Sequence, residues 1–297
     1  MPGNFQQWFP QFAPYFSRVL RDNCSSEFQA YLEKPDPWPN YHINSVVSCI
    51  LAHFDESGKA QLAVSSVLLG ILPTILGMVG SNTTEIGLLA LRRPIFAILL
   101  SLGAPVLSPT RSFEYRSPVE MLKTKPDGLP AFTKWQRRLC PIKYITTVVA
   151  IGNIVHVTWQ LCEYSVCVFS ASTWWLPALW AGISVIPHLL GAYAVTLRVR
   201  TMPHRTLRAT FMSEFDFSKQ QTNPKWDPIP ESKRYLVFSW LASFITILHL
   251  VMGTVVLSSA LFISPSDAVI VSIRLLCSAV TCRVLLMFEL HVLKHSV

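Results

Sequence analysis

Six long apolar runs constrain this 297-residue chain more than any other feature of its sequence. A bilayer's hydrocarbon core is roughly 30 Å thick, which a helix of about 20 residues crosses. Lipid offers no partner to backbone polar groups, so such runs are expected to form helices. We therefore predict an all-α fold, a polytopic bundle of about six transmembrane helices. The runs cover residues 61–80, 85–108, 144–168, 174–197, 236–263 and 267–290.

The composition agrees with a membrane environment. Charged residues make up 14% of the chain and hydrophobic residues 51%, and the mean hydropathy is +0.38. An ordinary soluble domain contains about 25% charged residues, and a soluble protein of this length with so few charges would not stay dispersed. The same composition excludes disordered, collagen-like and coiled-coil chains.

The net charge of +8 is concentrated in two segments. Residues 109–143 and 198–234 each contain eight of the 25 lysines and arginines. A pI near 9.2 would suit a nucleic-acid-binding protein, but basic segments between apolar runs are typical of cytoplasmic loops. We predict an N-terminal segment, 1–60, and a bundle, 61–297, with both termini cytoplasmic. The expected partner is the lipid bilayer and not nucleic acid.

The N-terminal segment does not have the order of a signal peptide, because prolines interrupt it and no basic stretch precedes an apolar one. Its aromatic residues and a helical apolar pattern at 43–54 favour a position on the membrane surface. Cys24 and Cys49 lie in this segment. A disulfide between them would require an oxidising compartment and would contradict the predicted cytoplasmic N-terminus.

The second apolar run is interrupted by Arg92, Arg93 and Pro94. A charge at bilayer depth costs a few kcal/mol, and proline kinks or breaks a helix. Either Glu85 pairs with Arg92 on the same helix face, or the run is a broken helix whose first part lies at the interface. Asn82 and Glu85 have the spacing of an N-cap and its capping-box glutamate, so we expect a helix to begin there.

A polar stripe on the third run is the main candidate site. Its four members lie on one helix face and are Asn153, His156, Gln160 and Glu163. Polar groups inside a membrane are costly and normally face the bundle interior or a water-filled cavity. Two interpretations stay open. One is a cavity for a lipophilic small molecule; the other is interhelical hydrogen bonding, with Glu163 paired to Arg274 or Arg283.

The first interpretation implies an enzyme. Glu163 would be the catalytic acid, and His156 and Gln160 would orient or polarise the substrate. Four further residues are expected to bind the substrate: Asn153, Trp159, His188 and Arg92. The sequence contains no P-loop, GxGxxG, HExxH or GxSxG motif and no CxxC pair, so we expect neither a cofactor nor a metal ion.

Residues 69–115 resemble a known family. The stretches LGILPTIL (69–76), LLALRRP (88–94) and SFEY (112–115) are similar to those of a widespread family of filamentous-fungal integral membrane proteins, most of them uncharacterised. The resemblance implies a fungal source and an internal membrane, such as the endoplasmic reticulum. It supplies no activity and no catalytic residues.

Fungal membrane proteins of this size include terpene cyclases, in which membrane-embedded carboxylic acids protonate an epoxide or alkene. In this analogy of class, Glu163 or Glu289 would be the acid. We therefore hypothesise a cyclase or isomerase acting on a lipophilic metabolite in a secondary-metabolite pathway. The alternative is a non-catalytic membrane scaffold, regulator or carrier. Its expected signature is a dry, well-packed bundle with Glu163 paired to an arginine.

Overall fold

The structure, a computed structural model, describes residues 5, 7–33, 41–109, 118–123, 140–167, 175–202, 214 and 225–294. Most of the two basic loops therefore lies outside the described residues. The helices are α1 Ala13–Asp22, α2 Ser25–Glu33, α3 Tyr41–Ala52, α4 Glu56–Val79, α5 Thr83–Ala90, α6 Pro94–Gly103, α7 Pro118–Lys123, α8 Cys140–Cys167, α9 Leu176–Ile183, α10 Val185–Thr196, α11 Lys233–Ser258 and α12 Pro265–Lys294.

Five of these elements are long and apolar enough to span a membrane. They are α4, α8, α11, α12 and the consecutive pair α9–α10, which together cover Leu176–Thr196. The prediction of an all-α, polytopic membrane fold is thereby confirmed. Two short strands, β1 Val199–Met202 and β2 Lys225–Pro228, form one antiparallel pair that joins the two ends of the second basic loop.

The second apolar run forms two short helices, α5 and α6, instead of one long helix. The predicted capping box is confirmed: Thr84 N donates to Asn82 Oδ1 at 3.0 Å, and Asn82 N donates to Glu85 Oε2 at 3.0 Å. The Glu85 carboxylate is ion-paired with Arg283 of α12, not with Arg92. Of the two alternatives, the structure contains the broken helix.

The chain groups into two compact units. The first unit comprises residues 1–74, 158–180 and 251–275, and the second comprises 75–157, 181–250 and 276–297.

The core of the first unit is aromatic. Phe16 is fully buried, and its ring centroid lies 5.2 Å from those of Phe54 and Phe262. Cys24 and Cys49 form a disulfide beside these rings. Phe262 belongs to the short loop between α11 and α12 and has a positive φ of 59°, a conformation that an L-residue adopts only when its surroundings hold it there.

The same loop is tied to the N-terminal segment through the start of α12. Ser264 caps this helix, because its Oγ accepts a hydrogen bond from Asp267 N at 3.1 Å. Gln11 N donates to Asp267 Oδ2 at 3.3 Å, and Ser266 Oγ donates to Gln11 Oε1. The N-terminal segment and the α11–α12 loop are therefore one packed structure.

In the second unit, α5 and α10 approach each other closely through two glycines. A Cβ added to Gly87 would lie 2.6 Å from Val195 Cγ2, and one added to Gly191 would lie 2.7 Å from Thr83 Cβ. Small residues at a helix contact allow this approach, which is a frequent packing mode in membranes. The α5 helix is thereby fixed against α10.

Candidate functional site

The turn that begins α6 contains a buried ionic cluster in the second unit. Arg93 is only 3% exposed. Its guanidinium is ion-paired with Glu289 of α12, and its Nε lies 3.6 Å from Glu214 Oε1. Nη2 donates to Thr147 Oγ1 of α8 at 3.1 Å, and the group lies over the Phe96 ring at 4.3 Å from the centroid. One arginine thus joins four parts of the chain.

Glu214 also caps the start of α6. Its two carboxylate oxygens accept hydrogen bonds from Ile95 N at 2.9 Å and Phe96 N at 3.0 Å. The first N–H groups of a helix have no intrahelical acceptor, and the helix dipole favours a negative charge there. The carboxylate therefore satisfies a helix end and an arginine at once.

The other end of α6 is capped by the polar stripe of α8. Asn153 Nδ2 donates to the Gly103 carbonyl oxygen at 3.1 Å. Ser278 Oγ of α12 lies 3.3 Å from the same oxygen and 2.5 Å from Asn153 Oδ1. Asn153 and Ser278 each lie close to the middle of a spanning helix. The carbonyl end of α6 is therefore placed at the middle of two membrane spans.

After α6, residues 104–109 continue without helical structure and are mostly buried. Ser108 N donates to Ser81 O at 3.0 Å, which joins this segment to the residues between α4 and α5. A Cβ added to Gly77 would lie 3.0 Å from Pro109 Cδ and 3.4 Å from Leu250 Cδ1 of α11. Non-helical backbone at membrane depth is tolerated where protein buries it or where it lines a cavity.

The remaining residues of the stripe have several environments. Gln160 is buried, and its Nε2 donates to Val271 O at 2.9 Å within the first unit. Glu163 Oε2 lies 3.7 Å from Arg274 Nη1, and both side chains are about a third to a half exposed, at 35% and 48%. His156 is half-buried, whereas Trp159 is 69% exposed on the outer face of α8.

Two other predicted site residues have buried nitrogens. Arg92 lies in the turn between α5 and α6, and its Nε and Nη1 have no hydrogen-bond partner among the described residues. His188 of α10 is 2% exposed, and neither ring nitrogen has a partner in the described part of the chain. His249 of α11, 3% exposed, is close enough to interact with His188 electrostatically.

Sequence reasoning did not assign three residues that build this site: Arg93, Glu214 and Ser278. It considered Glu289 only as an alternative to Glu163 for the membrane-embedded acid. Arg93 was visible only as part of the interruption in the second run. Glu214 lies in a basic loop and Ser278 lies in an apolar helix, so neither the charge pattern nor the hydrophobic pattern identifies them as site residues. Glu289 is an acidic residue near the end of α12, where an exposed position would also be ordinary.

Among the described residues, the first unit contains one group of side chains that offer atoms of the types that bind metal ions. The Cys24 and Cys49 sulfurs and a ring nitrogen of His53 lie within 4.8 Å of one another. Metal ions bind thiolates, and here the two sulfurs are joined in a disulfide. His53 Nδ1 is 2.9 Å from Cys49 O. The expected absence of a metal ion remains a prediction.

Comparisons of the chain with protein families, with curated proteins and with solved structures found no match. The structure itself defines the class: a helical protein that has, in its described part, five candidate membrane spans and one interrupted helix pair.

Proposed function

We propose that the chain is a membrane carrier and that its solute passes beside the interrupted pair α5–α6. The observation that carries this proposal is the Gly103 carbonyl, which Asn153 caps next to the middle of α8 and α12. Carriers commonly build their solute sites from discontinuous helices whose ends lie near the bilayer midplane. The buried ionic cluster around Arg93 precedes α6, and the non-helical segment 104–109 follows it, so both are parts of this discontinuous region.

The polar stripe gives the competing enzyme hypothesis less support. Glu163, the hypothesised acid, is near Arg274, and the Gln160 amide is engaged with a backbone carbonyl. Such contacts are those expected of helix assembly. A cyclase or isomerase acting on a lipophilic metabolite in a fungal pathway is therefore kept as an outcome of the test below.

We also propose an orientation that differs from the cytoplasmic N-terminus expected from the sequence. In this proposal each of the five candidate spans among the described residues crosses the membrane once, so the ends of the chain before α4 and after α12 are on opposite sides. Both basic loops then lie on the side of the end of α12, which the positive-inside bias makes the cytoplasm. The helices α1–α3 face the other side, where an oxidising lumen would maintain the Cys24–Cys49 disulfide.

The contacts of the first unit support this orientation. Phe262, in the loop between α11 and α12, packs against Phe16 of the N-terminal segment. Because α11 crosses the membrane, that loop lies opposite to the basic loop that precedes α11. This packing supports an N-terminal segment that lies on the side opposite to the basic loops.

Deleting the gene in its source organism and profiling metabolites in separated organelle and cytosol fractions tests the carrier against the enzyme. A carrier predicts that one solute moves between fractions while its total amount stays within twofold. An enzyme predicts that a precursor accumulates and its product disappears from every fraction. That second outcome would overturn the carrier. A wild-type copy reintroduced into the deletion strain is the control.

A further inference from the structure

His188 has an environment that the packing of α10 does not account for. Its imidazole is 2% exposed and has no hydrogen-bond partner for either ring nitrogen among the described residues. A neutral imidazole always presents one donor and one acceptor. Burying both ring nitrogens without partners costs free energy, so a native structure that contains such a group requires an explanation. One functional explanation is that the imidazole binds a proton, a water molecule or a ligand.

Among the described residues, His249 is the ionisable group that interacts electrostatically with His188. His249 is also buried, on α11. The α10 helix packs against α5, α6 and β1. Glu85 of α5 is ion-paired with Arg283, and α6 contains no ionisable residue. Arg200 of β1 follows the end of α10, more than two helical turns beyond His188.

We propose that His188, together with His249, is a proton-binding site on the path of the carrier, so that the chain moves protons when a pH difference is imposed. The inference rests on the proposed function. One proton adds to a ring nitrogen lone pair from water on one side of the membrane and leaves to water on the other. Intramembrane histidines commonly form such relays, and two adjacent positive imidazoles repel each other, so the pair holds one proton at a time.

The test uses the purified full-length protein in sealed lipid vesicles that contain a pH-sensitive dye, with potassium and valinomycin to remove the membrane potential. Wild-type vesicles are expected to lose an imposed pH difference at least tenfold faster than protein-free vesicles. The substitutions His188→Gln and His249→Gln should each reduce that rate at least tenfold. His53→Gln, which changes an exposed histidine outside the spanning helices, is the matched control and should change it less than twofold.

Circular dichroism and thermal melting establish that each variant is folded, and His249→Gln, on a different helix, tests the pair if His188→Gln does not fold. Wild-type vesicles no faster than protein-free vesicles would overturn the proton site. Wild-type rates in folded His188→Gln vesicles would overturn it as well. Neither result would overturn the carrier, because metabolite redistribution in the deletion strain decides that separately.

Discussion

The buried arginine at the start of α6 determines where that helix lies. Arg93 is within reach of two carboxylates, Glu214 and Glu289, which are 8% and 5% exposed. A buried ion pair is weak evidence for stability, since desolvation offsets most of the attraction, but removing one partner is costly. The main effect of the cluster is therefore to fix the position of the turn, and its net contribution to the free energy of folding is small.

Replacing Arg93 with methionine should leave Glu289 and Glu214 buried without their cation. We expect the free energy of unfolding to fall by about 3–5 kcal/mol, measured by denaturant unfolding in detergent micelles. Arg21→Met, which changes an exposed pair with Asp22, should lower it by less than about 1 kcal/mol. Adding Glu289→Gln to Arg93→Met should recover part of the loss. Equal effects at Arg93 and Arg21 would contradict the importance of the cluster.

Removing the amide of Asn153 should leave the Gly103 carbonyl with only the longer contact from Ser278 Oγ. Asn153→Ala is expected to lower the free energy of unfolding by about 1–3 kcal/mol, the cost of an unsatisfied buried polar group. Thr158→Ala changes an exposed residue of the same helix and serves as the control. If both substitutions have the same effect, the Asn153–Gly103 hydrogen bond does not stabilise the α6 position.

At the scale of the elements, the α5–α10 contact depends on the absence of two side chains. Gly191 lies so close to α5 that an added Cβ would be 3.0 Å from Thr83 O, a backbone atom that cannot rotate away. In contrast, a Cβ added to Gly152 of α8 would meet nothing within 4 Å. Gly191 therefore leaves no room for a side chain, whereas Gly152 does.

Alanine at these two positions should therefore have opposite effects. Gly191→Ala is expected to lower the melting temperature, because α5 must move away from α10. Gly152→Ala should raise it slightly or leave it unchanged, since alanine favours a helix over glycine by about 1 kcal/mol. Thermal unfolding followed by circular dichroism in micelles measures both. A Gly191→Ala variant as stable as wild type would show that the contact is loose.

The sequence predicts the elements better than the contacts between them. Apolar length gives the spanning helices, and the spacing of Asn82 and Glu85 gives the start of α5, because both properties are local. The partners of Arg93 are not predictable in this way. Glu289 follows it by 196 residues, and no local pattern connects them.

The polar stripe shows the same limit at the candidate site. Helical spacing predicts correctly that Asn153 and Gln160 face the protein interior. It does not predict that they bond the backbone of α6 and α12, or that Trp159 is mostly exposed. A polar stripe shows which face of a helix is polar. The hydrogen-bond partner of each polar side chain depends on how the neighbouring helices pack.

At the scale of the whole molecule, the proposed orientation makes the N-terminal cysteines inaccessible to thiol reagents. With the protein in sealed microsomes, a maleimide polymer should label neither Cys24 nor Cys49 until the membrane is permeabilised and a reductant is added. Labelling of both before reduction would contradict the lumenal disulfide. Cys24→Ser and Cys49→Ser variants identify which labelled cysteine is which.

Loss of the disulfide should also lower stability. The two cysteines are 25 residues apart, and closing a loop of that length stabilises a protein by about 3 kcal/mol in the chain-entropy account. Cys24→Ser should lower the free energy of unfolding by about that amount. Cys277→Ser, which changes an exposed cysteine of α12, should have an effect within about 0.5 kcal/mol. If the Cys24→Ser variant is as stable as the wild type, the disulfide does not stabilise the fold.

The caps of α6 have a consequence for how the chain is made. A ribosome completes α6 before it reaches any of the residues that satisfy its ends, because Asn153, Glu214, Ser278 and Glu289 all follow in the sequence. Until α12 has been inserted, the Gly103 carbonyl lacks its contact with Ser278, and Arg93 lacks its second carboxylate, Glu289. Truncation before Ser278 should therefore yield chains that membrane quality control degrades, so that the earliest interrupted helix is the last to be finished.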